Sequence, residues 1–204
     1  MNKFEEYIGS QFGNPRGLIG KLCCLIMNII NKAMYRTVIS NINVESRNEI
    51  LDIGYGNGYL IKQLFEKTKA NIHGIDISED MLKAASDRNK NGIYEGKIHL
   101  SLGDCCNLNF SDGTFDIVTS INTIYFWPDV EKGLKEIKRV LKSGGIFYNA
   151  VYSKEWLKKL SYTQKGFQFF EKEDYIELGK RAGFSKVLIE EIVNGKSYFI
   201  KYYN

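Results

Sequence analysis

A glycine-rich turn and two acids downstream of it are the residues of this chain whose types and spacing could do chemistry together. The turn reads Asp52-Ile53-Gly54-Tyr55-Gly56-Asn57-Gly58. Glycines at alternate positions let a backbone turn sharply and approach a ligand closely. The amides that open the following helix then face an anionic group. Asp76 stands twenty positions after Gly56, where an acid can accept both hydroxyls of a ribose. Asp104 follows in Gly103-Asp104-Cys105-Cys106. Either acid alone could be an ordinary turn residue. Together with the glycine turn, at the ends of three successive apolar runs, they mark the ligand-binding edge of an α/β sheet.

The elements that must position these residues are legible as a pattern. From Glu49 onward short apolar runs alternate with amphipathic stretches. Strands are expected at 49–53, 71–76, 97–102, 115–120 and 145–151, with helices at about 59–67, 78–89, 130–141 and 172–182. Ser78 is suited to cap the second helix, with Met81, Leu82 and Ala85 facing inward. The third presents Leu134, Ile137, Val140 and Leu141 on one face. It is expected to end at Lys142-Ser143-Gly144-Gly145, where glycine permits a left-handed C-terminal conformation. Strand-helix alternation specifies a parallel sheet covered on both faces. The tail breaks the rhythm, because strands at 185–193 and 197–202 are joined only by an Asn194-Gly195 turn, which makes an antiparallel hairpin. The expected fold is α/β, with five parallel strands closed by that hairpin and helices on both faces.

The totals agree with one domain and an N-terminal extension. The chain has 204 residues, 44% hydrophobic and 25% charged, with two prolines and no low-complexity stretch to serve as a linker. Its formal charge of +4 comes without a dense lysine block or an aromatic-plus-basic cluster, so no nucleic acid partner is expected. The cysteines fall as adjacent pairs, Cys23-Cys24 and Cys105-Cys106. Neighbours rarely form a disulfide, and the spacing is not that of a zinc site, so no metal is expected. No leader peptide is read at the N-terminus, and a reduced cytoplasmic setting is expected. The segment 18–34 is rich in apolar residues, but Lys21, Asn28, Asn31 and Lys32 interrupt it, and no membrane span is expected. Its apolar positions Leu18, Leu22, Leu25, Ile26, Ile29 and Ile30 recur at helical spacing and should pack on the domain.

A nicotinamide-dependent dehydrogenase also uses a glycine turn and an acid on the ribose. Its fingerprint requires a third glycine where Tyr59 stands, and the chain has no Tyr-x-x-x-Lys pair. The residues instead resemble the class I, Rossmann-like S-adenosylmethionine-dependent methyltransferases, from about Glu49 to the C-terminus. The resemblance implies S-adenosylmethionine as cofactor. The loop of Gly54, Tyr55, Gly56 and Gly58 would hold its aminocarboxylate end, with Asp52 near the ammonium. Asp76 would take the ribose hydroxyls, Asp104 the adenine amino group and the Cys105 amide a ring nitrogen. Ile77 and Met81 would pack on the adenine. Ile121 and Asn122, after the strand Phe115–Ser120, resemble the start of the family's active-site loop.

The front segment Phe12-Gly13-Asn14-Pro15-Arg16-Gly17-Leu18-Ile19-Gly20, with Met27-Asn28 on the next helix, is similar to the start of a bacterial subset of the family. There G-x-P-x-G-x-x-G precedes a helix lying over the cofactor. The resulting division is residues 1–45 as a helical lid or extension and 46–204 as the cofactor-binding methyltransferase domain. Tyr125, Phe126 and Trp127 would line the acceptor pocket, with Tyr125 and Asp129 the candidates for polar, catalytic contact. His73 and His99 lie on strands well before the active-site loop. No Asn/Asp-Pro-Pro-aromatic motif, Pro-Cys nucleophile or double-glutamate loop appears, so a small-molecule or lipid-like acceptor is left by elimination. The alternative is a catalytically silent cofactor-binding or regulatory module.

Overall fold

The computed structural model describes residues 3–13, 15–43 and 45–204. Strands β1 (Glu49–Ile53), β2 (Asn71–Asp76), β3 (Ile98–Leu102), β4 (Phe115–Ile121), β5 (Leu141–Tyr152), β6 (Lys186–Val193) and β7 (Ser197–Tyr203) form one sheet. Their order is β3-β2-β1-β4-β5-β7-β6. The first five are mutually parallel, and β7 runs antiparallel to both β5 and β6. The expected hairpin is therefore present, with its second strand against the sheet. Composition explains the choice. Five of the seven residues of β7 are buried, Ser197 through Tyr202 except Lys201, whereas β6 exposes Lys186, Glu190 and Glu191. Charged side chains suit an edge strand and discourage further pairing.

The helices are α1 (Lys3–Gly13), α2 (Gly17–Ile30), α3 (Lys32–Asn41), α4 (Tyr59–Thr68), α5 (Glu79–Tyr94), α6 (Val130–Val140), α7 (Lys154–Lys158) and α8 (Lys172–Ala182). Strand alternation divides the core into two layers. Ile50, Ile72 and Ile117 pack with Val38, Ile61, Leu64 and Ala85 of α3, α4 and α5. Leu51, Ile53, Val118 and Phe147 pack on the other face with Leu134, Ile137 and Tyr175 of α6 and α8. Helix α5 is capped by Ser78 as expected but continues five residues past its expected end, through a kink at Asn89. There the Asn89 amide donates to the Gly58 and Ala85 carbonyls, at 3.1 and 2.9 Å, tying the helix to the glycine loop. Strand β5 also begins earlier than expected. Leu141 turns directly from α6 into extended backbone, and the left-handed Gly144 (φ +77°) belongs to an irregularity in the β4–β5 pairing rather than to the helix end.

The front segment departs most from expectation. Its apolar stretch is two helices, α2 and α3, bent by 64° at Asn31. Among the described residues no single helix is long and apolar enough to cross a membrane, and this bent pair meets the length and composition criteria only jointly. The face of α2 that packs inward carries Gly20, Cys23, Cys24, Met27 and Asn28. The aliphatic residues Leu22, Leu25, Ile26, Ile29 and Ile30, expected to pack on the domain, face outward and are exposed. Asn14 lies outside the described residues.

One surface cluster decides where the acid-bearing loop after β3 can stand. The Arg139 guanidinium donates to the carbonyls of Leu108 (2.8 Å) and Phe110 (2.7 Å) and to Asp112 and Glu136, while Glu136 accepts from the Leu108 amide at 2.9 Å. Helix α6 thereby holds the whole connection from Asp104 to β4. Replacing the arginine leaves two carbonyls without their donor, a cost of about 1–3 kcal/mol. Arg139→Met is expected to lower the melting temperature by several degrees, while Lys138→Met on the same turn should change it little; thermal denaturation followed by circular dichroism reads both.

Candidate active site

The carboxyl ends of β1, β2, β3 and β4 open into one cavity of about 300 Å3 roofed by the front segment. Its floor is the glycine loop. Gly54 has φ +70° and lies so close to β4 that a Cβ there would stand 2.4 Å from the Thr123 methyl group, so only glycine fits. Gly56 also has positive φ (+53°), yet a Cβ would meet nothing within 4 Å, so the space above the loop is open. Asp76 closes one side. Its carboxylate accepts from the Gly56 and Ser78 amides, both at 2.9 Å. Burial raises the Asp76 pKa, and the backbone hydrogen bonds from Ser78, Gly56 and Ile77 pull against that.

The roof is held down by hydrogen bonds that cross from the front segment to the domain. Ser78 Oγ donates to the Pro15 carbonyl at 2.7 Å, and Asp80 accepts from the Gly17 amide at 2.8 Å. Asn28 of α2 donates to Asn57 Oδ1 at 3.3 Å and accepts from the Tyr35 hydroxyl at 3.4 Å. Tyr152 OH reaches Asn31 Oδ1 at 2.7 Å. At the far end Phe12, Phe126, Trp127 and Pro128 form an apolar wall. The Trp127 indole donates to Thr123 Oγ1 at 3.1 Å, which fixes the ring.

Most of the residues expected at the site line this cavity: Gly54, Tyr55, Gly56, Asp76, Ile77, Asp104, Cys105, Ile121, Asn122, Phe126 and Trp127. Five do not. Asp52 shares the strand face of Ile50, so its side chain points down toward α3 and accepts from Thr119 Oγ1 at 2.8 Å behind the loop. Gly58 turns the chain into α4 with φ +72°. Met81 is fully buried, where the Cys24 thiol approaches its sulfur at 3.4 Å. Tyr125 is 2% exposed; its one hydroxyl proton is shared between Asn122 Oδ1 and the Tyr152 carbonyl, both 3.2 Å away, and its oxygen accepts from the Tyr152 amide. Asp129 is the N-cap of α6, accepting from the Lys132 amide at 2.9 Å. Expected as catalytic contacts, Tyr125 and Asp129 therefore anchor the loop from beneath and beside it. His73 and His99 stack on each other at 4.9 Å and are not among the lining residues.

Asn31, Tyr35, Asn57 and Thr123 line the cavity without having been singled out. A signal existed for part of this set. Gly20, Cys24, Asn28 and Asn31 recur at helical spacing as small and polar residues within an aliphatic stretch, which marks a helix whose polar stripe is the inward one.

Acid–base chemistry from the chain is scarce here. Among the described residues, those lining the cavity include no histidine, lysine or arginine. The Cys24 thiol is pushed up to about 12, chiefly by burial with Asp76 adding to it. Burial likewise raises the Tyr35 hydroxyl well above its ordinary range. Asp104, Cys105 and Cys106 place one ligand-type atom each within 4.8 Å of one another. Burial raises both thiols, so they stay protonated, and the Cys106 thiol donates to the Asp129 carbonyl at 3.2 Å.

The methyltransferase domain family matches residues 51–149, which hold the glycine loop, both acids, Phe126 and Trp127. The chain is 34% identical to the uncharacterized methyltransferase YdaC of Bacillus subtilis, over 59% of this chain and 65% of that protein. It is 27% identical to a demethylmenaquinone methyltransferase of Staphylococcus haemolyticus, over 95% of this chain and 92% of that one. Among solved structures it is similar to phosphoethanolamine N-methyltransferase 2 of Haemonchus contortus in complex with S-adenosylhomocysteine, with a TM-score of 0.72, 19% identity and coverage of 85% and 52% of the two chains. That likeness concerns the fold. The matches to the first curated relatives span between 40% and 65% of those proteins' own lengths.

The placement of Asp52 has a consequence for stability. Burial pushes its carboxyl up to about 7, against the hydrogen bond from Thr119. In the unfolded chain the same group titrates near about 4. Between those values the folded state holds the extra proton, so stability falls as pH rises through the window. Asp52→Asn keeps an acceptor for Thr119 without the charge. Its melting temperature is expected to gain on the parent's between pH 5 and pH 8; a gap that stays constant across that range would refute the assignment.

Proposed function

We propose that this chain, whose residues 51–149 match the methyltransferase domain family, is a class I methyltransferase that moves the methyl group of S-adenosylmethionine to a small-molecule acceptor with an apolar body. The observation that carries the reading is the continuity of one cavity from Gly54, Gly56, Asp76 and Asp104 at one end to Phe12, Phe126 and Trp127 at the other. The first end fits the cofactor. The uncovered backbone at Gly56 leaves room for an aminocarboxylate, Asp76 is placed for ribose hydroxyls, and Asp104, the Cys105 amide and Ile77 surround the position of an adenine. Asp52 acts from behind the loop, where a cationic group above it favours the ionised carboxylate.

When bound, S-adenosylmethionine supplies an electrophilic methyl group on its sulfonium. The residues of the chain bind and orient. Holding a nucleophile in line at attack distance can supply much of the acceleration, and the wall of Phe12, Phe126 and Trp127 is the surface against which an acceptor would be held. Because Cys24 and Tyr35 are kept protonated by burial, the described residues lining the cavity offer the acceptor no strong base. The reading therefore favours an acceptor already nucleophilic as it binds, such as an electron-rich ring, an uncharged amine or a thiolate. The staphylococcal relative named for demethylmenaquinone supports an apolar ring.

Residues 1–45 serve in this reading as a lid that keeps water from the reacting centre. Gly20 is the tight point where α2 meets the turn before it, since a Cβ there would stand 2.8 Å from the Pro15 carbonyl carbon and 3.0 Å from Gln11 Oε1. Gly20→Ala is expected to weaken cofactor binding several-fold while the thermal transition of the sheet is kept. An unchanged dissociation constant would remove the lid.

The direct test is calorimetric titration with S-adenosylmethionine, beside an Asp76→Ala variant and a nicotinamide dinucleotide control. Micromolar binding, lost in the variant and absent for the dinucleotide, is expected, followed by transfer of labelled methyl to a member of a panel of apolar hydroquinones, amines and thiols. No binding by folded protein sinks the reading, and binding without transfer to any acceptor points to a silent cofactor-binding module.

A further inference from the structure

Helix α2 wears its hydrophobicity outward. Six of the twelve large hydrophobic side chains exposed among the described residues belong to it: Ile19, Leu22, Leu25, Ile26, Ile29 and Ile30, with Ile29 at 76% and Leu22 at 58% exposure. Residues of the same helix on the opposite side, Cys24, Met27 and Asn28, line the cavity. A surface helix ordinarily turns its apolar stripe to the core. A contiguous apolar patch left in water marks an interaction surface.

Charge says which one. Of the 28 lysines and arginines and 24 acids in the chain, residues 7–43 hold four basic residues, Arg16, Lys21, Lys32 and Arg36, and no acid. The net charge of +4 is therefore the charge of this segment, and the remainder is balanced at 24 of each sign. Arg16, Lys32 and Arg36 are exposed. Asp80 is engaged with the Gly17 amide at the amino end of the helix. Outward aliphatic residues bordered by cations are the composition of a helix that lies in a bilayer interface among anionic headgroups. Pairing two copies through the same face would set like charges against each other, which a bilayer does not. The 64° bend at Asn31 and the inward polar stripe suit a helix lying on the surface and not one crossing it.

We propose that the outer face of α2 docks the protein on an anionic lipid surface. The inner face of the helix would then keep the cavity beside the bilayer, within reach of a lipophilic acceptor; that last step rests on the methyl-transfer reading, whereas the docking does not. The experiment is co-sedimentation of the full chain with phosphatidylcholine vesicles with and without about 30% phosphatidylglycerol, a fraction chosen to give a strongly negative surface. Leu22→Ser/Ile26→Ser/Ile29→Ser and Lys32→Glu/Arg36→Glu are run beside the parent, with circular dichroism confirming that both fold. The parent is expected to bind the anionic vesicles and to lose most of that binding in high salt. The serine variant should bind at least tenfold more weakly, and the charge-reversed one should lose its preference for phosphatidylglycerol. A parent that stays in the supernatant overturns the proposal, as does serine-variant binding equal to the parent's. So does a lipid-free dimer that only the serine variant dissociates, which would make the face a contact between copies. None of these readings depends on methyl transfer, so the docking and the activity can fail separately.

Discussion

The seam between β1 and β4 is the constraint on which the rest of the molecule depends. These two parallel strands lie side by side, yet the chain leaves β1 toward β2 on one side and enters β4 from β3, so their connections part at the carboxyl ends. A crevice must open there, and ligands of open α/β sheets bind in it. Gly54 and Thr123, one from each side of the seam, touch so closely that no Cβ fits between them. Thr119 and Asp52 sit opposite each other one layer down and share a hydrogen bond. The loop geometry, the burial of Asp52 and the aim of Asp76 all follow from how near these strands stand.

Burial then sets the chemistry. The crevice is roofed by α1 and α2 and walled by aromatic rings, which raises the thiol of Cys24 and the hydroxyl of Tyr35 out of the range where either could take a proton at neutral pH. Tyr125 is deeper still, and its hydroxyl is committed to the backbone of Tyr152 and the side chain of Asn122. Asn122 itself holds a left-handed backbone (φ +58°), so the turn after β4 is braced from below by a phenol rather than armed with one. What the lining residues offer is binding and orientation within a walled crevice.

The front segment answers two demands at once. Its inward stripe must be small and polar to lie over a polar crevice, as Gly20, Asn28 and Asn31 do, and that leaves the large aliphatic residues of α2 nowhere but outside. A sequence rule that turns every apolar stripe toward the core reads this helix backwards. The error has a physical source. Periodicity fixes which residues share a face, and only the surroundings decide which face is in water.

The sequence by itself determined the alternation of strands and helices, the closing hairpin, the glycine loop and the two acids. These rest on local propensities and on short spacings that any compact arrangement must respect. It placed Asp76, Asp104, Phe126 and Trp127 at one edge because parallel strands present their carboxyl ends together. It did not show that Tyr125 and Asp129 are anchors, that Asp52 stands behind the loop, or that Asn31 and Tyr35 reach the cavity from a helix pair read as one. Those facts depend on side-chain direction and on contacts between segments far apart in the chain, such as Tyr152 with Asn31. Burial, and with it every shifted pKa, exists only once those segments meet.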